Sequence, residues 1–567
     1  IANSPTINDR SNIIMKKISI IFLLIPFSLS QEPAPIKSGV APYQNEYSNE
    51  YDVLSYDLEI GLGERSDEIA GNANITIALK ENIDKIPLDF TGLSIQNILI
   101  NNSRVNYNYT KGKIFIDSKK YKANQILTIN IAYSGKPDDG LIIGENVHGK
   151  RSVFADNWPN RARFWFPSKD HPSDKATVSF TIHAPSKWKV IANGALVEKP
   201  KTSKLDAIGP KESRRTWKWK STVPIPTYNM VIGAAEMDIT TLGVANFAYS
   251  PSSLRADGSI EVSNWTFPED TEKSRPSFMR SVEMVNFFST KIGPYPYEKL
   301  ANVQSSTRFG GMENASAIFY SQGAIAKGRN IEGTVSHEIA HQWFGDSVTE
   351  KEWHHLWLSE GFATYFGALF FEQSDGRDNF NERMEKSKNR ILESKATNRP
   401  IVDYEVRDLF KLLNSNNYPK GAWVLHMLRG LVGDEIFFKG VSKYYAQYNN
   451  KTVLTSDFMV VMEEVSGKDL KYFFDQWIFS PGYPIIEIEQ NWYPKKNGKG
   501  KTIVTINQTQ KKDWPTFIFE SQLCWDNNEC IPIKVDQKTQ SFDIISSMKP
   551  DSIYIDPEEW ILKELKK

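Results

Sequence analysis

Hydrophobic residues recur at every second position along much of the first half of the chain. The alternation is clearest in three stretches, which contain Tyr56, Leu58, Ile60 and Leu62, then Leu127, Ile129, Ile131 and Tyr133, and then Val178, Phe180 and Ile182. Successive side chains of a β-strand point to opposite faces, so this period predicts strands with one buried face. Turn-forming residues separate the stretches. The pattern therefore predicts an antiparallel β domain over residues 46–236.

After about residue 270 the hydrophobic residues follow the three- and four-residue intervals of helices instead. This change predicts an α-rich domain over residues 237–480, and the predicted helices span 276–291, 332–344, a segment around Glu360 that ends at 372, 378–395, 421–431 and 456–465. Alternation returns after Pro484, so residues 481–567 are predicted to form a small β-sandwich. The fold class predicted for the chain is multidomain α+β.

The first thirty residues have the pattern of an export signal. A positively charged segment at residues 15–17 precedes an apolar run at residues 18–29, and small residues surround a cleavage site near Ser30. The apolar run is too short for a bilayer, which needs about twenty residues, so no stable membrane anchor is predicted. Residues 1–14 precede a plausible start methionine, and residues 31–45 are predicted to form a flexible leader. We therefore expect export to the periplasm or the medium.

The only two cysteines in the chain, Cys524 and Cys530, flank a turn-rich loop between two strand-like segments. A hairpin at this place would bring the two thiols within reach of a disulfide bond. Disulfides persist in oxidising compartments, so a bond between these cysteines agrees with export. The sequence therefore predicts a disulfide here, with two free thiols as the alternative.

The charge of the chain is balanced, with 68 basic and 68 acidic residues among 567. A net charge of zero gives no electrostatic reason to expect a nucleic acid or an anionic membrane as a partner. The net charge therefore favours neither of these partners, and a prediction of function must rest on particular residues.

The most informative residues are His337, Glu338 and His341, which form an H-E-x-x-H sequence in the predicted helix 332–344. Residues four apart share one face of a helix, so both imidazoles can bind one metal ion. A catalytic zinc site takes three protein ligands and keeps a fourth position for water. Glu360, after a gap of eighteen residues, is the natural third ligand. Glu338 then remains as the general base, and the sequence predicts a hydrolase with one Zn²⁺.

Two surface histidines on a solvated helix are the simplest alternative to a metal site. The chain contains only 8 histidines in 567 residues, so a chance match that also provides Glu360 is improbable. His354 and His355 lie close to Glu360 in the sequence and are tempting as further ligands. Because three ligands already complete the site, we predict a structural role for both.

The predicted metal site resembles that of the gluzincin aminopeptidases, the family of aminopeptidase N and leukotriene hydrolase. Further segments carry the same resemblance over essentially the whole mature chain. They are Gly310, Gly311, Met312, Glu313 and Asn314, which match the family's G-x-M-E-N motif, residues 162–167 and 170–176, which resemble a signature of its N-terminal β domain, and Tyr418, 58 residues after Glu360. The resemblance implies a thermolysin-like catalytic domain that follows the β domain.

The resemblance also implies roles for these residues. In the family the glutamate of G-x-M-E-N binds the substrate's α-ammonium group, which assigns that role to Glu313 and substrate binding to the motif. A carboxylate binds an ammonium group through a charge-assisted hydrogen bond. Gly310 and Gly311 lack side chains, so their backbone can approach an extended peptide. The family's catalytic tyrosine corresponds to Tyr418, whose hydroxyl would stabilise the oxyanion.

The chain departs from the family at two places. A glutamine that often helps to bind the substrate amine is replaced, by alignment to Arg163, with Asp156 or its neighbour Asn157. Asp156 is predicted to add negative charge near the ammonium group. Larger members also append a helical domain that covers the active site, and this chain ends at Lys567. We therefore expect a more open cleft and a weaker limit on peptide length.

The function implied by the resemblance is a zinc aminopeptidase whose partners are peptides with a free N-terminus. A zinc endopeptidase of the same superfamily is one alternative, and Glu313 in its motif argues against it. A non-catalytic peptide-binding homologue is the second, and the intact ligands and general base argue against that. An epoxide-hydrolase side activity is a third alternative that no residue of the sequence requires.

Overall fold

The computed structural model describes residues 49–202, 213–495, 500–526 and 529–566. The predicted signal peptide and flexible leader lie outside these residues. Along the described chain, a β domain is followed by a mainly helical domain and then by a smaller β domain. Among the described helices, none has both the length and the apolar character that a membrane span requires.

The N-terminal domain is built from β-strands. They are β1 Tyr51–Gly61, β2 Ile69–Leu79, β3 Lys85–Asp89, β4 Ser94–Ile100, β5 Ser103–Arg104, β6 Tyr107–Thr110, β7 Lys113–Asp117, β8 Ile126–Gly135, β9 Leu141–Glu145, β10 Arg151–Ala155, β11 Lys175–Pro185, β12 Lys189–Ala192, β13 Ala195–Leu196, β14 Lys201–Thr202, β15 Arg214–Pro226 and β16 Ile232–Ala235. The largest sheet has the order β13-β15-β11-β1-β2-β8-β4-β5, with β14 also beside β15. Smaller sheets have the orders β12-β16-β10-β9 and β3-β7-β6.

The alternation predicted for this domain is confirmed. Every hydrophobic residue of the three stretches is at most 2% exposed, and the stretches form β1, β8 and β11. Neighbouring strands in the largest sheet are antiparallel, except that β1 and β11 run parallel. The sheet therefore buries one continuous apolar face, as the period of two predicts.

The central domain contains helices and one larger sheet. Its helices are α1 Thr271–Phe278, α2 Ser281–Lys291, α3 Gln322–Ala326, α4 Glu332–His341, α5 Trp357–Asp375, α6 Arg377–Leu392, α7 Gly421–Val432, α8 Asp434–Tyr448, α9 Thr455–Ser466 and α10 Lys471–Trp477. Its strands are β17 Asp238–Ala245, β18 Ile260–Thr266, β19 Leu300–Ser305, β20 Gly311–Met312, β21 Ala317–Ser321, β22 Thr349–Glu350 and β23 Thr452–Val453. The larger sheet has the order β17-β18-β19-β21-β20, which leaves β20 at its edge.

Short helical segments connect these elements. They are 3₁₀ helices at Ala162–Phe164, Thr227–Asn229, Pro268–Asp270, Trp353–His355, Lys395–Asn398 and Leu409–Leu412, and a π-helical turn at Asn416–Lys420. The last of these segments directly precedes α7 and carries Tyr418.

The prediction of one helix over residues 276–291 is wrong, because the structure has two helices there, α1 and α2. Pro276 lies inside α1 and not at a first helical position. Proline lacks the N–H that a helix interior uses, and α1 ends two residues later at Phe278. At the break the Ser281 hydroxyl donates a hydrogen bond to the Phe278 carbonyl at 2.8 Å. The ends of the other predicted helices agree with the structure to within three residues.

The C-terminal domain is the predicted small β domain. Its strands are β24 Ile485–Pro494, β25 Gly500–Gln508, β26 Phe519–Trp525, β27 Glu529–Val535, β28 Thr539–Ser546, β29 Ile553–Ile555 and β30 Glu564–Leu565. They form two sheets with the orders β28-β25-β24-β30 and β27-β26-β29. A disulfide bond joins Cys524 and Cys530, which are paired residues of β26 and β27 with Cα atoms 4.1 Å apart.

Candidate active site

The helices α4 and α5 bring the three predicted metal ligands together. Gly367 of α5 allows close packing, since a Cβ at this position would lie only 3.3 Å from the Cα of His337. The Nε2 atoms of His337 and His341 are 3.0 Å apart, and each lies 3.2 Å from Oε2 of Glu360. Two imidazoles and one carboxylate therefore converge on one point between the helices.

The ring of His341 is oriented by contacts on the side away from this point. Its Nδ1 lies 3.0 Å from the carbonyl oxygen of Phe344 and 3.1 Å from the Ser359 hydroxyl. In the neutral ring, donation from Nδ1 to a carbonyl leaves Nε2 as the unprotonated nitrogen that can bind a metal ion. Gly345 has a φ of +117°, and a Cβ there would lie 2.4 Å from the Ser359 hydroxyl oxygen. The local backbone thus supports coordination through Nε2.

The electrostatics of the site favour a bound cation. Burial alone would lower the pKa of His341, but three neighbouring carboxylates raise it well above its ordinary value. These carboxylates belong to Glu360, Glu313 and Glu338. Burial alone would raise the pKa of Glu360, but the two histidines hold it at about 2. Two nitrogen ligands and one carboxylate in a negative environment fit Zn²⁺ with one position left for water.

Glu338 and Glu313 lie side by side next to the ligands. Their carboxylate oxygens and a ring nitrogen of His341 are all within 4.8 Å of one another. Gly311 provides the space, because a Cβ there would lie 2.2 Å from Oε1 of Glu338. Burial raises the pKa of Glu338 well above its ordinary value and that of Glu313 to about 7. The predicted general base and the predicted amine anchor therefore flank the metal site together.

Gly310, Gly311 and Met312 place this anchor at the edge of a sheet. Gly311 and Met312 form β20, which pairs with Tyr320 and Phe319 of β21. Because β20 is the last strand of its sheet, an extended peptide can align beside it as a further strand. Asn314, the last residue of the motif, is buried where the chain turns towards β21.

Tyr418 reaches the metal site from the π-helical turn Asn416–Lys420. Its hydroxyl donates a hydrogen bond to Oε1 of Glu360 at 2.7 Å. Its ring stacks against the imidazole of His337, with the ring centroids 6.0 Å apart and an angle of 10° between the planes. Burial raises the pKa of Tyr418 well above its ordinary value, which keeps the hydroxyl protonated. The side chain can therefore act as a hydrogen-bond donor at the metal site.

Asp156 follows β10 and is fully buried. Its carboxylate accepts hydrogen bonds from Nη2 of Arg161 at 2.9 Å and from the Thr307 hydroxyl at 3.0 Å. Nε of Arg308 lies 3.6 Å away. The neighbouring Asn157 is also buried, and its amide donates to the carbonyl of Met230 at 2.7 Å. The Asp156 charge is thus balanced by arginine, and its contact with the substrate amine stays a prediction.

The structure places His354 and His355 outside the metal site. Nε2 of His354 lies 3.0 Å from the carbonyl oxygen of Val406. His355 lies 2.8 Å from the hydroxyls of both Thr455 and Tyr404, one at each ring nitrogen. These contacts pack the 3₁₀ segment in front of α5 against its neighbours and agree with the structural role that we predicted.

Gln342 is a residue of the site that the sequence analysis missed. It directly follows His341, is fully buried, and donates to the main-chain oxygen of Glu313 at 2.6 Å. The only signal in the sequence is a polar residue beside the motif on a helix end that is predicted to be buried. That signal does not reveal which group the amide contacts.

Two imidazoles and a carboxylate, with a separate glutamate beside them, define the active-site type of zinc-dependent hydrolases. Comparison with protein families agrees with this class. Residues 52–229 match the model of the peptidase M1 N-terminal domain, and residues 277–477 match the model of the peptidase family M1 domain. Together these ranges span more than half of the chain, and the protein belongs to peptidase family M1.

Several curated proteins are similar to the chain. It is 25% identical to Probable aminopeptidase 1 of Sulfurisphaera tokodaii, 27% to Tricorn protease-interacting factor F2 of Thermoplasma acidophilum, and 26% to Leucyl aminopeptidase of Saccharolobus solfataricus. The matches cover 73%, 77% and 73% of this chain and 51%, 56% and 52% of those proteins. The chain therefore spans about half the length of these relatives.

Solved structures confirm the predicted fold class. The M1 zinc metallopeptidase of Deinococcus radiodurans superposes with a TM-score of 0.65 at 22% identity, covering 77% of this chain and 95% of that one. Legionella pneumophila aminopeptidase A, in complex with aspartic acid, gives a TM-score of 0.77 at 19% identity, covering 92% of this chain and 60% of that one. The Legionella match extends over 92% of this chain and therefore includes most of its arrangement of a β domain, a helical domain and a C-terminal β domain.

Proposed function

We propose that the protein is a zinc-dependent aminopeptidase that releases single residues from the N-termini of peptides. The observation that carries this proposal is the position of Glu313, whose carboxylate lies within 4.8 Å of Glu338 and His341. In a peptide, only one α-carbon separates the N-terminal nitrogen from the first carbonyl group. An ammonium group held by Glu313 therefore places the first peptide bond at the reacting centre.

In the proposed mechanism His337, His341 and Glu360 hold the zinc ion. When bound, the ion supplies a Lewis acid that polarises the scissile carbonyl and lowers the pKa of water to about 7. Glu338 takes a proton from the attacking water and passes it to the leaving amine. Burial raises the pKa of Glu338 above its ordinary value, which makes its carboxylate a stronger base than an exposed one.

Glu313 binds the α-ammonium group in this mechanism, and Tyr418 donates its hydroxyl to the developing oxyanion. Two related structures support short peptides as the substrate class. A mutant of the Deinococcus radiodurans enzyme was solved with a Tyr-Ser-Ala substrate, and a two-domain M1 zinc metallopeptidase mutant was solved with L-tryptophan. We extend this substrate class to the present chain because its own edge strand β20 leads directly into the proposed anchor.

A comparison of free and N-acetylated substrates tests the proposed function. Aminoacyl anilides and short peptides with a free N-terminus should be cleaved at least about a hundredfold faster than acetylated ones, because only the free amine can pair with Glu313. Glu313→Gln should remove most of that difference by lowering kcat/KM for the free substrates. Similar rates for both substrate classes, together with cuts at internal bonds, would point to an endopeptidase instead.

Tyr418→Phe should lower kcat by about 10²- to 10³-fold, because one oxyanion donor is lost. KM should change little, since the hydroxyl bonds to Glu360 rather than to a ground-state substrate group. Steady-state kinetics with an aminoacyl anilide measure both constants. Tyr404→Phe is the control, because that tyrosine is exposed and contacts His355 outside the metal site. An unchanged kcat in Tyr418→Phe would remove the tyrosine from the mechanism.

We further propose that the protein is exported. The charged and apolar pattern of residues 15–30 supports this, and so does the Cys524–Cys530 disulfide, since such bonds persist mainly in oxidising compartments. N-terminal sequencing of the protein recovered from the periplasm or the medium tests the proposal, with Gln31 as the expected first residue.

A further inference from the structure

One side chain connects the proposed amine anchor to the helix that carries the metal ligands. We name residues 313–316, between β20 and β21, the anchor loop. Nε2 of Gln342 donates to the main-chain oxygen of Glu313 at 2.6 Å, and its Oε1 accepts from the main-chain N–H of Ser316 at 2.8 Å. Both ends of the anchor loop therefore bind the residue that follows His341.

The amide of Gln342 is held in a single orientation. Its Nε2 also donates to Oδ2 of Asp346 at 2.8 Å, and its Oε1 also accepts from the Tyr295 hydroxyl at 3.1 Å. An amide offers two donors and two acceptor positions, and here both donors and one acceptor position are used, while the Tyr295 proton is shared with the main-chain oxygen of Lys299 at 2.9 Å. The main-chain oxygen of Glu313 can only accept and the N–H of Ser316 can only donate, so the amide cannot be reversed. Rotation would break the hydrogen bonds to Glu313, Ser316 and Asp346 at once.

The N-terminal domain holds the anchor loop from the opposite side. Nδ2 of Asn193 donates to the main-chain oxygen of Ala315 at 2.7 Å, and the N–H of Gly194 donates to the Ser316 hydroxyl at 2.8 Å. Gly194 has a φ of +76°, and a Cβ there would lie 2.0 Å from the carbonyl oxygen of Lys220. Ser316 itself has a φ of +64°, which non-glycine residues rarely adopt. Contacts from two domains thus fix an unfavourable backbone conformation.

We propose that Gln342, with Asn193 on the other side, is a positioning residue that sets the distance between the amine anchor and the metal helix. This inference rests on the proposed aminopeptidase function. Successive residues of an extended peptide are about 3.3–3.6 Å apart. An anchor loop displaced outward by that distance would hold the same ammonium group with the second peptide bond at the metal. Gln342 therefore determines that one residue, and not two, is released.

A charge-conserving exchange isolates the contact between Gln342 and Glu313. In the double variant Gln342→Glu with Asp346→Asn, the new carboxylate accepts from Ser316, from Tyr295 and from the new amide. In the unsubstituted protein Asn229 donates a hydrogen bond to Asp346 at 2.7 Å, and the amide oxygen at position 346 of the variant can accept the same bond. Only the hydrogen bond to the Glu313 oxygen has no replacement, because an ionised carboxylate cannot donate.

The exchange should lower the preference for free over N-acetylated anilides by about tenfold, mainly through KM for the free substrate. Mass spectrometry of a digested pentapeptide should show dipeptides beside single amino acids. With Glu338→Gln added to prevent turnover, calorimetry should show about tenfold weaker binding of a free-amine peptide. The zinc content should remain equal to that of the unsubstituted protein.

Gln508→Met is the matched control. Gln508 is also buried, and its amide bonds to the N–H of Phe517 at 2.9 Å and to the Phe517 carbonyl at 2.8 Å, far along the chain in the C-terminal domain. The control should lose stability without any change in substrate preference or in product length. The control thereby distinguishes the effects of a general loss of stability from those of a displaced anchor loop.

Each outcome bears on one conclusion. If the unsubstituted protein does not release single N-terminal residues, the proposed function is wrong, and the inference that rests on it is wrong too. If it does, and the exchange leaves preference, affinity and product length unchanged, the positioning role is wrong while the function stands. Should the exchange not fold, Asn193→Ala is measured in the same way. Preference and products equal to those of the unsubstituted protein would then overturn the inference.

Discussion

Removal of the metal ion should abolish peptide hydrolysis completely and leave the fold in place. Without the ion no group at the convergence of His337, His341 and Glu360 polarises the scissile carbonyl or activates water. The helices that carry these ligands stay packed through fully buried residues such as Val335 and Phe362. Anilide hydrolysis, metal content and the circular dichroism spectrum, measured before and after treatment with a chelator, test this expectation.

Zinc added back in one equivalent should restore the activity of the chelated protein. Glu360→Gln provides a second test, because a neutral amide binds zinc more weakly than a carboxylate and the variant should retain less metal. Hydrolysis at the original rate by protein that contains no metal would contradict the proposed mechanism.

Glu338→Gln should lower kcat by about 10²- to 10⁴-fold while the zinc content stays at one equivalent. The amide has the same shape and can occupy the space beside Gly311, but it cannot accept a proton from water. Glu338 is not one of the three proposed ligands His337, His341 and Glu360, so we expect the ligand set to stay intact. Single-turnover kinetics and elemental analysis of the same sample measure the two effects together.

The control for this variant is Glu332→Gln, on the same helix α4. Glu332 lies in the first turn of α4, where its carboxylate is 3.4 Å from Arg280. Its replacement should leave kcat unchanged. Full turnover by Glu338→Gln would exclude the residue as general base, and a loss of zinc would instead mean that it helps to bind the metal.

The two predicted histidine ligands could be placed together from the sequence because their geometry is local, whereas Glu360 lies on another helix. His337 and His341 lie one helical turn apart, and this spacing alone places them on one face. Glu313 and Tyr418 could be assigned only through the resemblance to a family. Nothing in the spacing of either residue indicates that its side chain would reach the metal site.

The sheet of the catalytic domain was missed for a physical reason. Every residue of β19 is buried, and β19 runs parallel to both of its neighbours, β18 and β21. A strand that is covered on both faces need not have one polar face and one apolar face, and three of the six buried residues of β19 are polar, Asn302, Gln304 and Ser305. The neighbouring β21 begins with a short apolar run, Ala317 to Tyr320, and such a run cannot be distinguished from a buried helix by its period.

The remaining details depend on contacts between distant parts of the chain. Asp156 bonds to Thr307 across 151 positions, and Gln342 bonds to Glu313 across 29. Hydrogen bonds of this kind follow from how the domains pack, which no local pattern records. The sequence therefore supports predictions of chemical roles for particular residues, but not of which residues orient them.

The contacts of Asn193 and Gly194 determine which fragments of this protein can keep the anchor loop in place. The residues with proposed roles in the reaction lie between Glu313 and Tyr418, yet the proposed amine-binding segment, the anchor loop, also accepts hydrogen bonds from residues 122 positions upstream. A fragment cut at the start of the helical region would keep its zinc ligands and lose these hydrogen bonds. We therefore expect that the proposed release of single N-terminal residues requires the N-terminal β domain and the catalytic domain together.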